Sequence, residues 1–201
     1  MSQLASDNFN RANESPLASP WATGLGGGLQ IVSNQTQGVT AGSDNLSYYN
    51  GGIAWPSDQY SQAKLAGSFD LSNARAVVIR WNGTSGYLLS AGPTTTDSII
   101  YKCVAGTFSA LFTIPASTLT WATGDVVSLE GRGAILIARQ NGRIIGSKED
   151  FTFLDGFPGL YTQTAPAALN WDDWSAGDFG RTPGALLNQG DPVIIPGYSV
   201  E

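Results

Sequence analysis

The sequence contains no histidine. That absence excludes a Ser–His or Cys–His nucleophilic site and any zinc site built on imidazole. Cysteine is nearly missing as well, and the lone Cys103 cannot form an internal bridge. Its place in the apolar run 98–104 reads as a buried structural thiol rather than a nucleophile. Charge is thin: 13 % of residues are Asp, Glu, Lys or Arg, against about 25 % in an ordinary domain. With ten Lys plus Arg and a net charge of −6, there is no basic patch to neutralise phosphates, so nucleic acid is not an expected partner. No apolar stretch approaches the roughly 20 residues of a membrane span, so no membrane partner is expected either. The opening Met1-Ser2-Gln3-Leu4-Ala5-Ser6-Asp7 has neither the basic nor the apolar region of an export signal.

What the chain has is turn residues and alternation. Glycine is abundant at 25 residues, and almost every segment between Gly, Pro, Asn or Asp repeats with period two, while no window carries a helical period. Strands are expected over 28–34, 37–41, 46–55, 60–68, 75–82, 86–92, 98–104, 107–114, 125–131, 134–140, 143–150, 159–163 and 168–174. The spacing is that of a two-sheet antiparallel sandwich or barrel. A chain of 201 residues can bury enough surface as one such unit without metal or disulfide. The strongest hairpin signal is Asn141-Gly142, which suits a turn with positive φ at both central residues. The cluster Gly24-Leu25-Gly26-Gly27-Gly28 lacks the Lys-Ser/Thr and following helix of a phosphate loop and reads as a plain loop. Asn13, Asn34, Asn45 and Asn82 open Asn-x-Ser/Thr sequons, expected by chance in a chain so rich in Ser and Thr.

Beyond Asp178 the texture changes to proline-rich sequence with short apolar anchors, Leu186-Leu187 and Val193-Ile194-Ile195, followed by Tyr198. Residues 1–178 are therefore read as one domain and 179–201 as an extended arm. The arm either packs back on its own domain or docks on a neighbouring subunit, since exposed pairs of this kind favour association.

The order of several segments points to a family. Asp7-Asn8-Phe9-Asn10-Arg11-Ala12-Asn13 with Leu17 and Trp21 comes first, Val77-Val78-Ile79-Arg80-Trp81-Asn82-Gly83 lies centrally, then Gly124-Asp125-Val126-Val127-Ser128-Leu129-Glu130-Gly131, and Trp171-Asp172-Asp173-Trp174 closes. Over residues 7–178 the chain resembles concanavalin A-like lectin/glucanase domains, more narrowly the laminin-G-like jelly rolls of bacterial and bacteriophage proteins. The resemblance implies an all-β, two-sheet antiparallel jelly-roll sandwich. It also implies that the terminal strands lie side by side, placing Phe9 and Trp174 in a common edge region.

The hydrolases of that family carry Glu-x-Asp-x-x-Glu on one strand face. Here Glu14, Glu130, Glu149 and Glu201 are the only glutamates and none begins the pattern, so no catalytic residue is assigned. Relatives often hold calcium between loops, and Asp172 and Asp173 are the residues that would supply it here, with structural aspartates as the alternative; no other cofactor is implied. Alternation puts Tyr60, Gln62 and Lys64 on one face with Ser61, Ala63 and Leu65 toward the core, and pairs Val78 with Arg80 opposite Val77, Ile79 and Trp81. Tyr48, Tyr60, Gln62, Arg80, Tyr87, Tyr101 and Lys102 are the carbohydrate candidates, aromatic rings stacking on sugar C–H faces and polar groups reading hydroxyls. Core duty is the competing role for each aromatic, and Trp21, Trp121, Trp171 and Trp174 are read as structural.

Together these readings favour a non-enzymatic, lectin-like virion protein of a bacteriophage: a decoration, fibre or tail component. It would meet other virion proteins or its own subunits through Leu186, Leu187, Val193, Ile194, Ile195 and Tyr198, and a cell-surface glycan through the sandwich. A free extracellular carbohydrate-binding module or adhesin is the alternative, with a glycoside hydrolase third.

Overall fold

A computed structural model describes residues 1–67, 74–92, 97–163 and 170–179. The strands are β1 (Ser2–Asp7), β2 (Trp21–Leu25), β3 (Leu29–Val32), β4 (Gln35–Gly38), β5 (Asp44–Tyr49), β6 (Gln59–Ala66), β7 (Arg75–Trp81), β8 (Gly86–Ala91), β9 (Ser98–Val104), β10 (Thr107–Ile114), β11 (Val126–Arg132), β12 (Ile135–Gln140), β13 (Arg143–Glu149), β14 (Phe157–Gln163) and β15 (Asn170–Asp178). No helix occurs among the described residues. The arm residues from 180 onward, including every apolar anchor named above, lie outside the described residues.

The strands form two antiparallel sheets. Sheet I runs β13-β12-β11-β6-β15-β4-β3, with β1 also paired to β15; sheet II runs β10-β9-β8-β7-β14-β5-β2. Between them lies the main core, where Ala63, Leu65, Val127, Leu129, Leu136 and Trp171 of sheet I meet Val77, Ile79, Tyr87, Leu89, Ile100 and Leu160 of sheet II. The Asn141-Gly142 turn joins β12 to β13 with φ of 50° and 80°, as a type I′ hairpin requires.

Two strands, β1 and β2, escaped the sequence reading. β1 is mostly exposed apart from Ala5, and β2 contains Gly24, whose missing side chain leaves room for Leu46 and the Trp81 indole. The terminal strands do pair, with Asp7 opposite Trp174. β15 lies inside the sheet, because it also pairs with β6 over most of its length, whereas β1 pairs, among the described residues, with β15 alone and forms an edge. Phe9 and Trp174 share one aromatic cluster through Trp21, whose ring centroid is 5.9 Å from Phe9 and 4.6 Å from Trp174. Asp7 organises this corner: one carboxylate oxygen accepts from the Phe9 N–H and from Arg11, the other from the Trp21 indole at 2.9 Å.

Alternation fails at Arg80. Its φ is 54°, a conformation rare outside glycine, and the β7–β14 register shifts beside it. Trp81 consequently turns away from Val77 and Ile79 and joins Val78 on the outer side of sheet II, correcting the face assigned to it from period two.

Candidate functional site

The outer side of sheet II is apolar although no third layer covers it among the described residues. Leu46, Val78, Trp81, Leu88, Cys103 and Tyr161 are buried there, roofed by the half-buried side chains of Leu25, Tyr48, Tyr101 and Phe108. Burial pushes the Cys103 thiol up, consistent with the inert role read from its sequence context. Large rings leaning over a sheet bury their neighbours while keeping one face open to solvent. Tyr48 does this against Phe157 with centroids 5.2 Å apart, and Phe108 bridges Tyr101 at 6.2 Å and Tyr161 at 5.7 Å.

These last three rings enclose a cavity of about 150 Å³ whose apolar floor includes Ala76 and Leu88. Its polar groups are Asp44, Ser90 and Gln163. The Tyr161 hydroxyl donates to Asp44 Oδ1 at 2.6 Å. Burial, with the adjacent Asp44 charge, drives the Tyr161 phenol far above its ordinary range, so it stays a donor. Burial also raises Tyr101. The result is a small apolar basin with a few fixed polar groups, the composition expected of a ligand site. Its size is roughly that of a cavity holding one six-membered ring.

The candidates from sequence distribute over three places. Tyr48 and Tyr101 lie on this face, and Tyr101 lines the cavity. Tyr60 and Gln62 lie on the outer side of sheet I, as alternation required, with Ser61, Ala63 and Leu65 turned inward. Tyr60 is only 5 % exposed and packs near Phe179; Gln62 donates to the Ser175 hydroxyl at 3.0 Å. Burial foremost, then the charge of Asp178, raises the Tyr60 phenol.

Arg80, Tyr87 and Lys102 belong to the frame instead. Arg80 is fully buried, and its guanidinium donates to the carbonyls of Ser57, Gly133 and Phe153 at 2.7–3.1 Å. The arginine reaches inward because the positive φ removes it from the outer face, leaving it no exposed donor to offer a ligand. Tyr87 is buried, donates to Asp150 Oδ1 at 2.6 Å, and accepts the Phe153 N–H. Its phenol is pushed up to about 12, chiefly by burial. Lys102 reaches Asp150 Oδ2 at 2.8 Å and the Thr152 hydroxyl. Burial opposes ionisation of Asp150, but hydrogen bonds from Lys102, Thr152 and Tyr87 outweigh it and hold the carboxyl well below the usual range.

Asp172 and Asp173, the calcium candidates, are engaged separately. A bulge and a φ of 45° at Asp173 separate them. Asp172 Oδ1 accepts the Asp173 N–H at 2.9 Å, and Asp173 faces Lys64 at 3.5 Å. Calcium needs six or more converging oxygens, and no group of three acidic, His or Cys side chains gathers among the described residues. Asp173 borders only a shallow polar cleft with Gln3, Asp7 and Asn8.

Asp44, Ser90, Phe108, Tyr161 and Gln163 line this cavity and are not among the candidates named from sequence. Each occupies an outward position of a strand, but only the order β10-β9-β8-β7-β14-β5 gathers them.

No protein-family model matches the chain, and no curated protein matches its sequence. Solved structures do. A carbohydrate-binding module of type 66 from Bacillus subtilis superposes with a TM-score of 0.60 at 17 % identity, over 79 % of this chain and 92 % of that one. A Bacillus subtilis protein of unknown function with a galectin-like fold gives 0.60 at 10 % identity, over 89 % and 96 %. The CBM2 module of the evolved Dit of Lactobacillus casei BL23 phage J-1 gives 0.53 at 9 % identity, over 87 % and 94 %. The fold is a lectin-like jelly roll. At these identities the likeness concerns architecture, and function rests on the site itself.

Proposed function

We propose that this chain is a carbohydrate-binding module whose site is the outer side of sheet II, acting by recognition and not by catalysis. The observation that carries the reading is the Tyr101–Phe108–Tyr161 basin with Asp44, Ser90 and Gln163 at its polar wall. Aromatic faces accept the C–H side of a sugar ring, while carboxylate, hydroxyl and amide groups exchange hydrogen bonds with its hydroxyls. The lectin-like sandwich and its likeness to carbohydrate-binding modules support the same reading. A glycan array followed by calorimetry tests it. Tyr101→Ala and Phe108→Ala are each expected to weaken binding about tenfold, as loss of an aromatic contact implies. Retained affinity in both variants overturns the assignment of this face.

The likeness to a module of a phage protein supports the finer reading, a virion accessory component that presents this face to a host-surface glycan, with residues 179–201 as its assembly arm. Co-purification with intact particles, lost on deleting 179–201, is the expected result. A chain recovered only free of particles in infected cells overturns it and favours a free extracellular module.

A further inference from the structure

The charge around the cavity is one-sided. Among the described residues Asp44 is the only acidic or basic side chain on its wall, and one of its oxygens is engaged by the Tyr161 hydroxyl. The second oxygen has no hydrogen-bond partner among the described residues. No described Lys or Arg lines the cavity. Arg11, Lys64, Lys102, Arg132 and Arg139 are paired with carboxylates elsewhere, and Arg75 and Arg80 donate to carbonyls within the fold. Arg143 and Lys148 stand on β13 at the far edge of sheet I. The sequence on either side of the cavity strands, residues 68–73, 93–96 and 164–169, contains neither Lys nor Arg. The chain as a whole carries −6.

A carboxylate beside three aromatic rings, with no cation on the cavity wall among the described residues, offers a cationic ligand two gains. It supplies a charge-assisted hydrogen bond, and the rings add cation–π attraction. To an anionic ring it offers only repulsion. We propose that Asp44 makes this pocket selective for a sugar ring bearing a protonated amine, a 2-amino-2-deoxy sugar, and that it turns uronic or sialic acids away. The ammonium donates to the open Asp44 oxygen while the ring lies against Tyr101 and Phe108. Ser90 and Gln163 are left for the hydroxyls. This rests on the carbohydrate reading above and adds the ligand class.

Calorimetry with a glucosamine tetramer, cellotetraose and a galacturonate tetramer tests it, on the wild type, Asp44→Asn and Tyr161→Phe. The glucosamine tetramer is expected to bind about tenfold more tightly than cellotetraose, the margin of a charged over a neutral hydrogen bond, and the galacturonate most weakly. Asp44→Asn brings the first two affinities together. Tyr161→Phe keeps the preference, because the charge remains. In the wild type alone, raising salt to about 1 M, where screening acts within about 3 Å, shrinks the preference whether or not the variants fold. Equal wild-type affinities, a preference that survives Asp44→Asn in a protein that melts cooperatively, or tighter binding of galacturonate overturns the role of Asp44 and leaves carbohydrate binding standing. No binding of any tetramer to folded wild type, together with an empty glycan array, overturns both.

Discussion

The two outer sides of the sandwich are made by the same alternation and have opposite chemistry. On sheet I the outward positions carry Gln62, Lys64, Ser128, Glu130 and Arg139, several of them in polar pairs. Glu130, whose side chain is 1 % exposed, takes Arg139 at 2.6 Å and Arg132 at 2.9 Å. Phe179 lies over the Arg132 guanidinium at 4.0 Å. On sheet II the outward positions carry Leu46, Val78, Trp81 and Leu88 beneath tyrosines and phenylalanines. Among the described residues, sheet II buries its outer face because its own large rings fold over it. A surface left apolar at that cost to solvation is suited to contact, whereas a saturated ionic network has few groups left to give.

That contrast can be broken by substitution. The largest effect is expected from Leu88→Asp, which puts a carboxylate into the apolar layer of sheet II: about 4 kcal/mol or more of stability lost in urea unfolding. Glu130→Ala on sheet I is expected to cost about 3 kcal/mol, because two arginines lose the buried carboxylate between them; a loss below about 1 kcal/mol would mean that the network is decorative. Next comes acid sensitivity at the Tyr87–Lys102–Asp150 cluster. Asp150 has a depressed folded pKa, so its contribution is complete above the unfolded value of about 3.9 and is lost as pH falls through the folded one. Asp150→Asn should therefore lower stability at neutral pH and flatten its decline below about pH 4, read from melting curves across pH. The smallest effect is expected from Gln62→Ala, about 1 kcal/mol, the ordinary worth of its one neutral, part-buried hydrogen bond to the Ser175 hydroxyl. A Gln62 variant as damaging as Leu88→Asp would erase the distinction between the faces.

The legibility of these features follows from which neighbours a residue depends on. β6 was read correctly because one of its sides meets the core and the other a polar surface, so Ser61, Ala63 and Leu65 alternate visibly with Tyr60, Gln62 and Lys64. β7 gave no such mark. All its residues are buried, and a strand covered on both sides shows a continuous apolar run. Arg80 looked like an exposed donor because charged residues are seldom fully buried. Its burial depends on three carbonyls brought from residues 57, 133 and 153, a convergence invisible along the chain. Lys102 and Tyr87 meet Asp150 for the same reason.

By itself the sequence determined the class of fold and the chemistry that is absent. Alternation and turn residues act over two to five neighbours, and a missing histidine is missing in every conformation. Tertiary structure alone decided where recognition can occur. Leu88, Tyr101 and Phe108 come from the consecutive strands β8, β9 and β10, but Asp44 on β5 and Tyr161 on β14 are distant in sequence and are brought to them only by the order of strands in sheet II. It also decided which polar residues are unavailable, because hydrogen bonds to remote carbonyls consume Arg80 just as the Asp150 carboxylate consumes Lys102 and Tyr87.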